Sequence, residues 1–224
     1  LILLPALSSI RTDKEVETIM MMSEKQIEAI GFTEHSRRHA GIVSKWSGEI
    51  LRSLGANEER AHLAEIAGYL HDIGNCINRA DHAQSGAILA YNILKRLGCD
   101  LQSCAEIMMA IGNHDEKYGQ PVSDISSALI IADKADVHKS RVKKPIDNVF
   151  TANIHDRVNL AAERSYLSVD RAAASITLNI EIDTQICSVM DYFEIYFGRM
   201  QLCRRAAEFL NSRFSLVING VSLL

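Results

Sequence analysis

The sequence predicts a mainly α-helical protein: a helical bundle over residues 12–144, with a small α+β appendage over residues 145–224 packed on it. Three observations carry this. From Thr12 to about Arg141, apolar residues recur at steps of three and four, the period of a helix with one buried face, and almost no proline interrupts them. Gly31, Gly55 and Gly98 close successive patterns, and glycine is the usual residue just past a helix end. After Pro145 the chain switches to alternating or β-branched runs, SYLSVD and ASITLNIEID, which read as strands.

The elements follow in order. A first helix spans about Asp13 to Ile30 and ends at Gly31; a second spans about Glu34 to Leu54 and stops at Gly55. Asn57 has the side chain to cap a third, which carries EERAHLAEIAGYLHD into Gly74. A fourth covers about Asp81 to Leu97, and a fifth about Leu101 to Ile111, leading into the loop GNHDEKYGQPVSD. Ser123 or Asp124 caps a sixth that holds Asp133 and runs on towards Arg141. Beyond Pro145, IHDRVNLAAERS is a short helical pattern, SYLSVD and ASITLNIEID form a β-hairpin turning at Asp170 to Ala174, a long helix covers about Thr184 to Ser212, and FSLVINGVSLL ends the chain as a strand. No Gly/Ser/Pro-rich linker separates the two parts, so they are expected to pack together.

With 224 residues and 47% hydrophobic composition, the chain can bury one substantial core. A net charge of -4 and a pI near 6.1 provide no global field for a nucleic-acid polymer, so a polyanionic ligand must be met by a local cluster. The dense basic stretch is KADVHKSRVKK, with Lys134, Lys139, Arg141, Lys143 and Lys144; it reads equally as a solvated helix end or as a phosphate-binding segment. The five cysteines form no CxxC pair, which suits reduced thiols and a cytoplasmic location. The apolar LILLPALSSI is shorter than the ~20 residues that span a bilayer and has no basic leader, so no membrane partner is expected.

The informative residues are polar ones on apolar stripes. His71 and Asp72 sit side by side at the end of AEIAGYLHDIGN, and His39 lies in line with Val43, Trp46, Ile50 and Leu54. His114 follows Ile107 and Ile111; His82 stands above Gly86, Leu89, Ile93 and Leu97; Asp133 follows Leu129 and Ile130. One such residue alone is best read as a core group satisfied by a backbone hydrogen bond. Five separate segments are better explained by a shared site for imidazole nitrogens and carboxylate oxygens, which is the donor set of a divalent metal.

These segments resemble the HD superfamily of metal-dependent phosphohydrolases over roughly Phe32 to Val142. EHSRRHAGIV resembles the opening motif and gives His39; GYLHDIG resembles the signature doublet and gives His71 and Asp72; ALIIADKAD resembles the final segment and gives Asp133, with Asp136 as a second-choice carboxylate. DHAQSGAIL and AIGNHDEKYG resemble the insertions of members that hold a second ion, which offers His82 and His114. The cyclic-dinucleotide-cleaving branch matches poorly, since Asn75 stands where that branch has lysine and the loop reads YGQP. Bis-nucleoside tetraphosphate hydrolases are similar in size and histidine count.

The resemblance implies hydrolysis of phosphate esters or anhydrides by a metal-bound hydroxide. The substrate would be a nucleotide or another small phosphorylated metabolite. One or two divalent ions are implied, and mixed nitrogen and oxygen donors favour Fe, Mn, Zn or Co over Mg. Asp72 is the expected bridging carboxylate, with His39, His71 and Asp133 on one ion and His82 and His114 on the other. Lys134 and Arg79 are candidates for neutralising phosphate charge, or ordinary surface cations. Asp115 and Glu116 are candidates to bind metal, to orient His114 or to be solvated in the loop, and the last two readings are favoured. His35 is a candidate partner of His39, and His62, His138 and His155 read as surface or structural residues. A catalytically idle metal- or nucleotide-binding regulatory module and, more remotely, a di-iron oxygenase are the alternatives; homo-oligomers are compatible with either.

Overall fold

A computed structural model describes residues 4–31, 37–142 and 154–223. His35, Lys143, Lys144, Pro145 and the expected first residues of the second helix lie outside the described residues. The protein is mostly helical, with a small C-terminal sheet.

A short helix α1 (Leu7–Arg11) buries Ile10 in the segment for which the sequence suggested no element. Asp13 then caps α2 (Lys14–Ala29) by accepting from the N–H groups of Glu15 and Val16. The centre of the bundle is α3 (Arg37–Leu54), α4 (Glu58–Leu70) and α7 (Asp124–Ala135), each packed on the other two. Asn57 caps α4 and Ser123 caps α7, as their positions suggested. The backbones of α3 and α4 meet where α4 has Gly68: a Cβ there would stand 2.8 Å from Ser44 Cα.

The third helix stops earlier than its pattern. Leu70 is its last residue, His71 is the C-cap, and Asp72 leads into a 3-10 turn over Ile73–Cys76. Gly74 in that turn lies against α5 (His82–Arg96): an added Cβ would sit 2.1 Å from the His82 carbonyl oxygen and 2.4 Å from Gly86 N. Next, α6 (Leu101–Gly112) is capped by Asp100. The sixth helix was expected to reach Arg141, but α7 ends at Ala135, where Asp136 turns away with ψ 78°. The break has a local cause. The Asp136 carboxylate is taken by His39 and Arg38, and its carbonyl accepts from Arg141, in a separate 3-10 turn over Lys139–Arg141.

In the C-terminal part, α8 (Ile154–Ala161) is shorter than its pattern, because Ala162 to Ser165 already belong to β1 (Ala162–Asp170). β1 pairs antiparallel with β2 (Ser175–Ile182), giving the expected hairpin. The long helix α9 (Val189–Phe209) starts later than the sequence suggested, because Ser188 and Asp191 form a capping box. It crosses over to β3 (Arg213–Ile218), which runs parallel to β2. What read as one final strand is a hairpin: Asn219 and Gly220, with φ 50° and 79°, turn the chain into β4 (Val221–Ser222). Alternation buries Ile176, Leu178 and Ile180 of β2 with Phe214, Leu216 and Ile218 of β3. α9 packs against both α7 and β3, so a single apolar core continues from the bundle into the sheet. Among the described residues, no helix is long and apolar enough to cross a membrane.

Candidate metal centre

Five helix ends deliver the polar residues. His39 lies in the first turns of α3, His71 caps the end of α4 with Asp72 beside it, and His82 opens α5. His114 stands two residues past α6, and Asp133 sits near the end of α7. Three of these are C-terminal ends, whose carbonyl dipoles favour a positive charge. All four histidines are buried, with at most 3% exposure.

The hydrogen bonds fix which nitrogen faces inward. His71 Nδ1 donates to the Gly68 carbonyl at 2.8 Å, His82 Nδ1 to the Arg79 carbonyl at 3.1 Å, and His114 Nδ1 to the Ile111 carbonyl at 2.7 Å. Each acceptor is three residues back in the chain. His39 Nδ1 instead meets Asp136 Oδ2 at 2.7 Å. With every Nδ1 engaged outward, every Nε2 turns to a common interior, the arrangement in which an outer partner sets the tautomer of a ligating imidazole.

The interior atoms are close. His39 Nε2 lies 3.2 Å from Asp133 Oδ1 and 3.7 Å from Asp72 Oδ2. His71 Nε2 is fully buried without a hydrogen-bond partner, with Asp72 Oδ2 and Asp133 Oδ1 at 3.4 and 3.5 Å. On the other side of Asp72, Oδ1 lies 3.4 Å from His82 Nε2 and accepts from Asn75 Nδ2 at 2.9 Å. His82 Nε2 and His114 Nε2 are only 3.2 Å apart. In the neutral tautomers set by their Nδ1 bonds these are two bare lone pairs pointing at each other, which a shared cation relieves. The donors fall into three overlapping groups able to hold an ion: His39, His71 and Asp72; His71, His114 and Asp133; and Asp72, His82 and His114. Asp72 belongs to two of them, one oxygen to each side. His114 reaches both sides, where the sequence reading had put it with His82 alone.

Burial dominates the titration of these groups. It lowers the pKa of His82 and, helped by the charges of His71 and His82, lowers that of His114 well below the ordinary value. His71 is the exception: burial opposes its charge, but Asp72 and Asp133 outweigh it and push the pKa up to about 10. Burial likewise opposes ionised Asp133, yet Lys134, His39 and His71 hold it well below the usual carboxylate range.

A small cleft, about 20 Å³, opens over the Asp72, His82, His114 and Asp133 side of the cluster. Arg79, Lys134, Arg141 and Arg199 line it. Lys134 is buried, with Nζ 2.6 Å from Asp133 Oδ2 and 2.9 Å from Glu116 Oε2. Arg79 Nη1 donates to Asn75 Oδ1 at 3.3 Å and lies 3.6 Å from Asp72 Oδ1. Glu116 departs from both readings favoured for it. It neither orients His114 nor stands in solvent, because it bridges Lys134 and Arg199 Nε, the latter at 3.0 Å. Asp115 Oδ2 lies 3.9 Å from His82 Nδ1, and its other oxygen caps the Lys117 N–H. Asp136, the second-choice carboxylate, is the outer partner of His39, set back from the cluster's interior. Arg199 and Asn75 were not singled out as site residues by the sequence. Of the remaining histidines, His62 holds the Pro5 carbonyl, His138 accepts from the Ser140 N–H, and exposed His155 lies within electrostatic reach of Arg199 and Glu116.

Residues 32–140 match the family model of the HD domain. HD domains bind divalent metals, and the His/Asp groups described above are able to hold one. An uncharacterized protein of Methanocaldococcus jannaschii is 28% identical over 156 residues, covering 60% of this chain, and the chain spans 60% of that protein's length. A crystal structure described as a predicted HD superfamily hydrolase from an uncultured Thermotogales bacterium aligns at 25% identity with a TM-score of 0.43, covering 60% of this chain and 75% of that one.

Proposed function

From a chain whose residues 32–140 belong to the HD domain family, we propose a metal-dependent hydrolase of phosphate esters or anhydrides that acts on a small phosphorylated metabolite, a nucleotide among the candidates. The observation that carries this reading is the junction of two features: four Nε2 atoms turned to one interior, and a cleft beside them where Arg79, Lys134, Arg141 and Arg199 stand among the carboxylates of Asp72, Asp115, Glu116 and Asp133. An isolated metal site would need only the first. The cations add the complement of an anionic group.

His39, His71, Asp72 and Asp133 would hold one ion, and Asp72, His82 and His114 a second, with Asp72 offering one oxygen to each. Bound there, a divalent metal acts as a Lewis acid and acidifies water, the two services that phosphoryl hydrolysis requires. The chain's own residues do the rest. Asn75 Nδ2 and Arg79 hold Asp72 Oδ1 in place. Lys134 and Arg79 offset the charge of a phosphoryl group in the cleft, and the outward Nδ1 bonds keep each imidazole from rotating as substrate enters.

The test is elemental analysis of protein purified without added metal. A panel of phosphomonoesters, phosphodiesters and nucleoside polyphosphates, assayed with that metal, would follow. Release of phosphate or nucleoside monophosphate by the native protein, lost in His71→Ala, is expected. Equal rates for the two proteins, or no turnover of any substrate class, refutes the reading.

A further inference from the structure

The matched family segment stops at residue 140, yet the cleft is completed by a residue far beyond it. Arg199 comes from α9, and we infer that it is a phosphate-binding residue of this site, supplied to the HD core by the C-terminal part of the chain. This rests on the proposed phosphohydrolase reading and adds a specificity-determining contact to it.

Four observations converge on Arg199. Its Nε is committed to Glu116 Oε1, and among the described residues its Nη groups hydrogen-bond to nothing, so the outer edge of the guanidinium is left over. The side chain keeps 25% of its surface open and lines the cleft beside His114, Asp133 and Lys134. Its guanidinium carbon lies 4.8 Å from the centroid of the Tyr196 ring, one turn earlier on α9. Tyr196 is itself anchored, its hydroxyl accepting from Asn159 Nδ2 on α8 at 3.1 Å. A guanidinium held on one edge by a carboxylate and on one face by an aromatic ring is preorganised, and its remaining edge is the planar fork that matches two phosphate oxygens.

Glu116 has a second role in this arrangement. Its two oxygens neutralise Arg199 and Lys134 together, at 3.0 and 2.9 Å, so it occupies in the protein the place that an anionic ligand takes between the same cations. A phosphoryl group entering the cleft therefore competes with Glu116. Substitutions at the two ends of this ion pair are expected to act in opposite directions on phosphate binding, whereas a pair serving only to hold α9 against the Glu116 loop would respond to both by weakening.

The experiment is calorimetric titration of the full chain, loaded with the metal it retains, with inorganic phosphate. Circular dichroism and metal content are checked for each variant. Arg199→Ala is expected to weaken phosphate binding about tenfold to a hundredfold, the loss of charge-assisted hydrogen bonds. Arg199→Lys restores only part of it, and Glu116→Gln tightens binding relative to the native chain. Arg204→Ala, on the exposed side of the same helix, controls for net charge and leaves binding unchanged. Native affinity in Arg199→Ala, weakened binding in Glu116→Gln, or no phosphate binding by the native protein overturns the inference. Arg199-dependent binding without hydrolysis of any substrate would sink the proposed reaction and keep this contact; hydrolysis insensitive to Arg199→Ala would do the reverse.

Discussion

Two polar clusters inside this protein have opposite internal logic. In one, Arg60 of α4 donates from Nε and Nη2 to the two oxygens of Asp124 on α7, and from Nη1 to Glu106 on α6. Donors meet acceptors, opposite charges are adjacent, and each side chain is about a quarter to a third exposed. In the other, His82 and His114 present lone pairs to each other, while His39 and His71 turn Nε2 to carboxylate oxygens. The first cluster is complete as it stands and ties three helices together. At His82 and His114 the second puts acceptor against acceptor, which is a cost unless a cation sits between them. Burial alone does not mark a functional site; burial with a mismatch that an ion would resolve does.

The sharpest way to break this comparison is to remove the residue shared by both sides of the cluster. Asp72→Ala is expected to lower kcat/KM by about a thousandfold, the scale of several kcal/mol of metal-derived stabilisation. Metal content measured by mass spectrometry should fall with it, and a variant that keeps both metal and activity would contradict the assignment. Asp136→Asn tests the outer ring. It removes charge from the partner of His39 Nδ1 while keeping the shape, and should weaken metal affinity about tenfold to a hundredfold in a chelator competition.

The pH dependence sharpens the comparison at the level of one proton. In metal-free protein, His71 has a folded pKa of about 10 against an ordinary 6.5, so its stabilising contribution is full below pH 6.5 and is lost as pH rises towards 10. His82 and His114 have the opposite sign: lowered by burial, they contribute above pH 6.5 and lose that contribution as pH falls. An ion must displace the His71 proton, so apparent metal affinity should climb by at most about tenfold per pH unit between pH 6.5 and 10. Calorimetry in buffers of different ionisation enthalpy counts the proton released, and zero release would contradict the protonated state. Least disturbing to the site is Arg60→Ala. It should cost about 1–3 kcal/mol in denaturant unfolding by leaving Glu106 and Asp124 without their cation, while metal content and kcat stay at native levels.

Much of the second cluster was legible in the chain because burial leaves a period. His39, Val43, Trp46 and Ile50 share a stripe, so the imidazole had to face inward, and the structure does bring His39, His71, Asp72, His82, His114 and Asp133 together. The outer bonds of three histidines are also local, each to a carbonyl three residues back, although a carbonyl is the same in every residue and leaves no mark in the sequence. Contacts between distant segments were not legible. Glu116 and Arg199 are 83 positions apart and looked like a loop carboxylate and a helix-surface cation until packing joined them. The same holds for the fold. Helix caps at Asn57 and Ser123 followed from side-chain chemistry, but the end of α7 at Ala135 was fixed by Asp136 turning to His39, 97 positions away. The parallel pairing of β2 with β3 depends on how α9 folds back, which no alternation pattern records.

The contact at Gly74 has a mechanical consequence. With room for only a hydrogen between this turn and the His82 carbonyl, main chain rests on main chain, and the doublet His71–Asp72 is braced directly against the start of the helix that bears His82. The spacing between the two halves of the candidate metal pocket is therefore gauged by backbone thickness, a dimension that side-chain rotamers cannot adjust. A single methyl at Gly74 would act as a wedge, prying Asp72 from His82 without altering any donor atom.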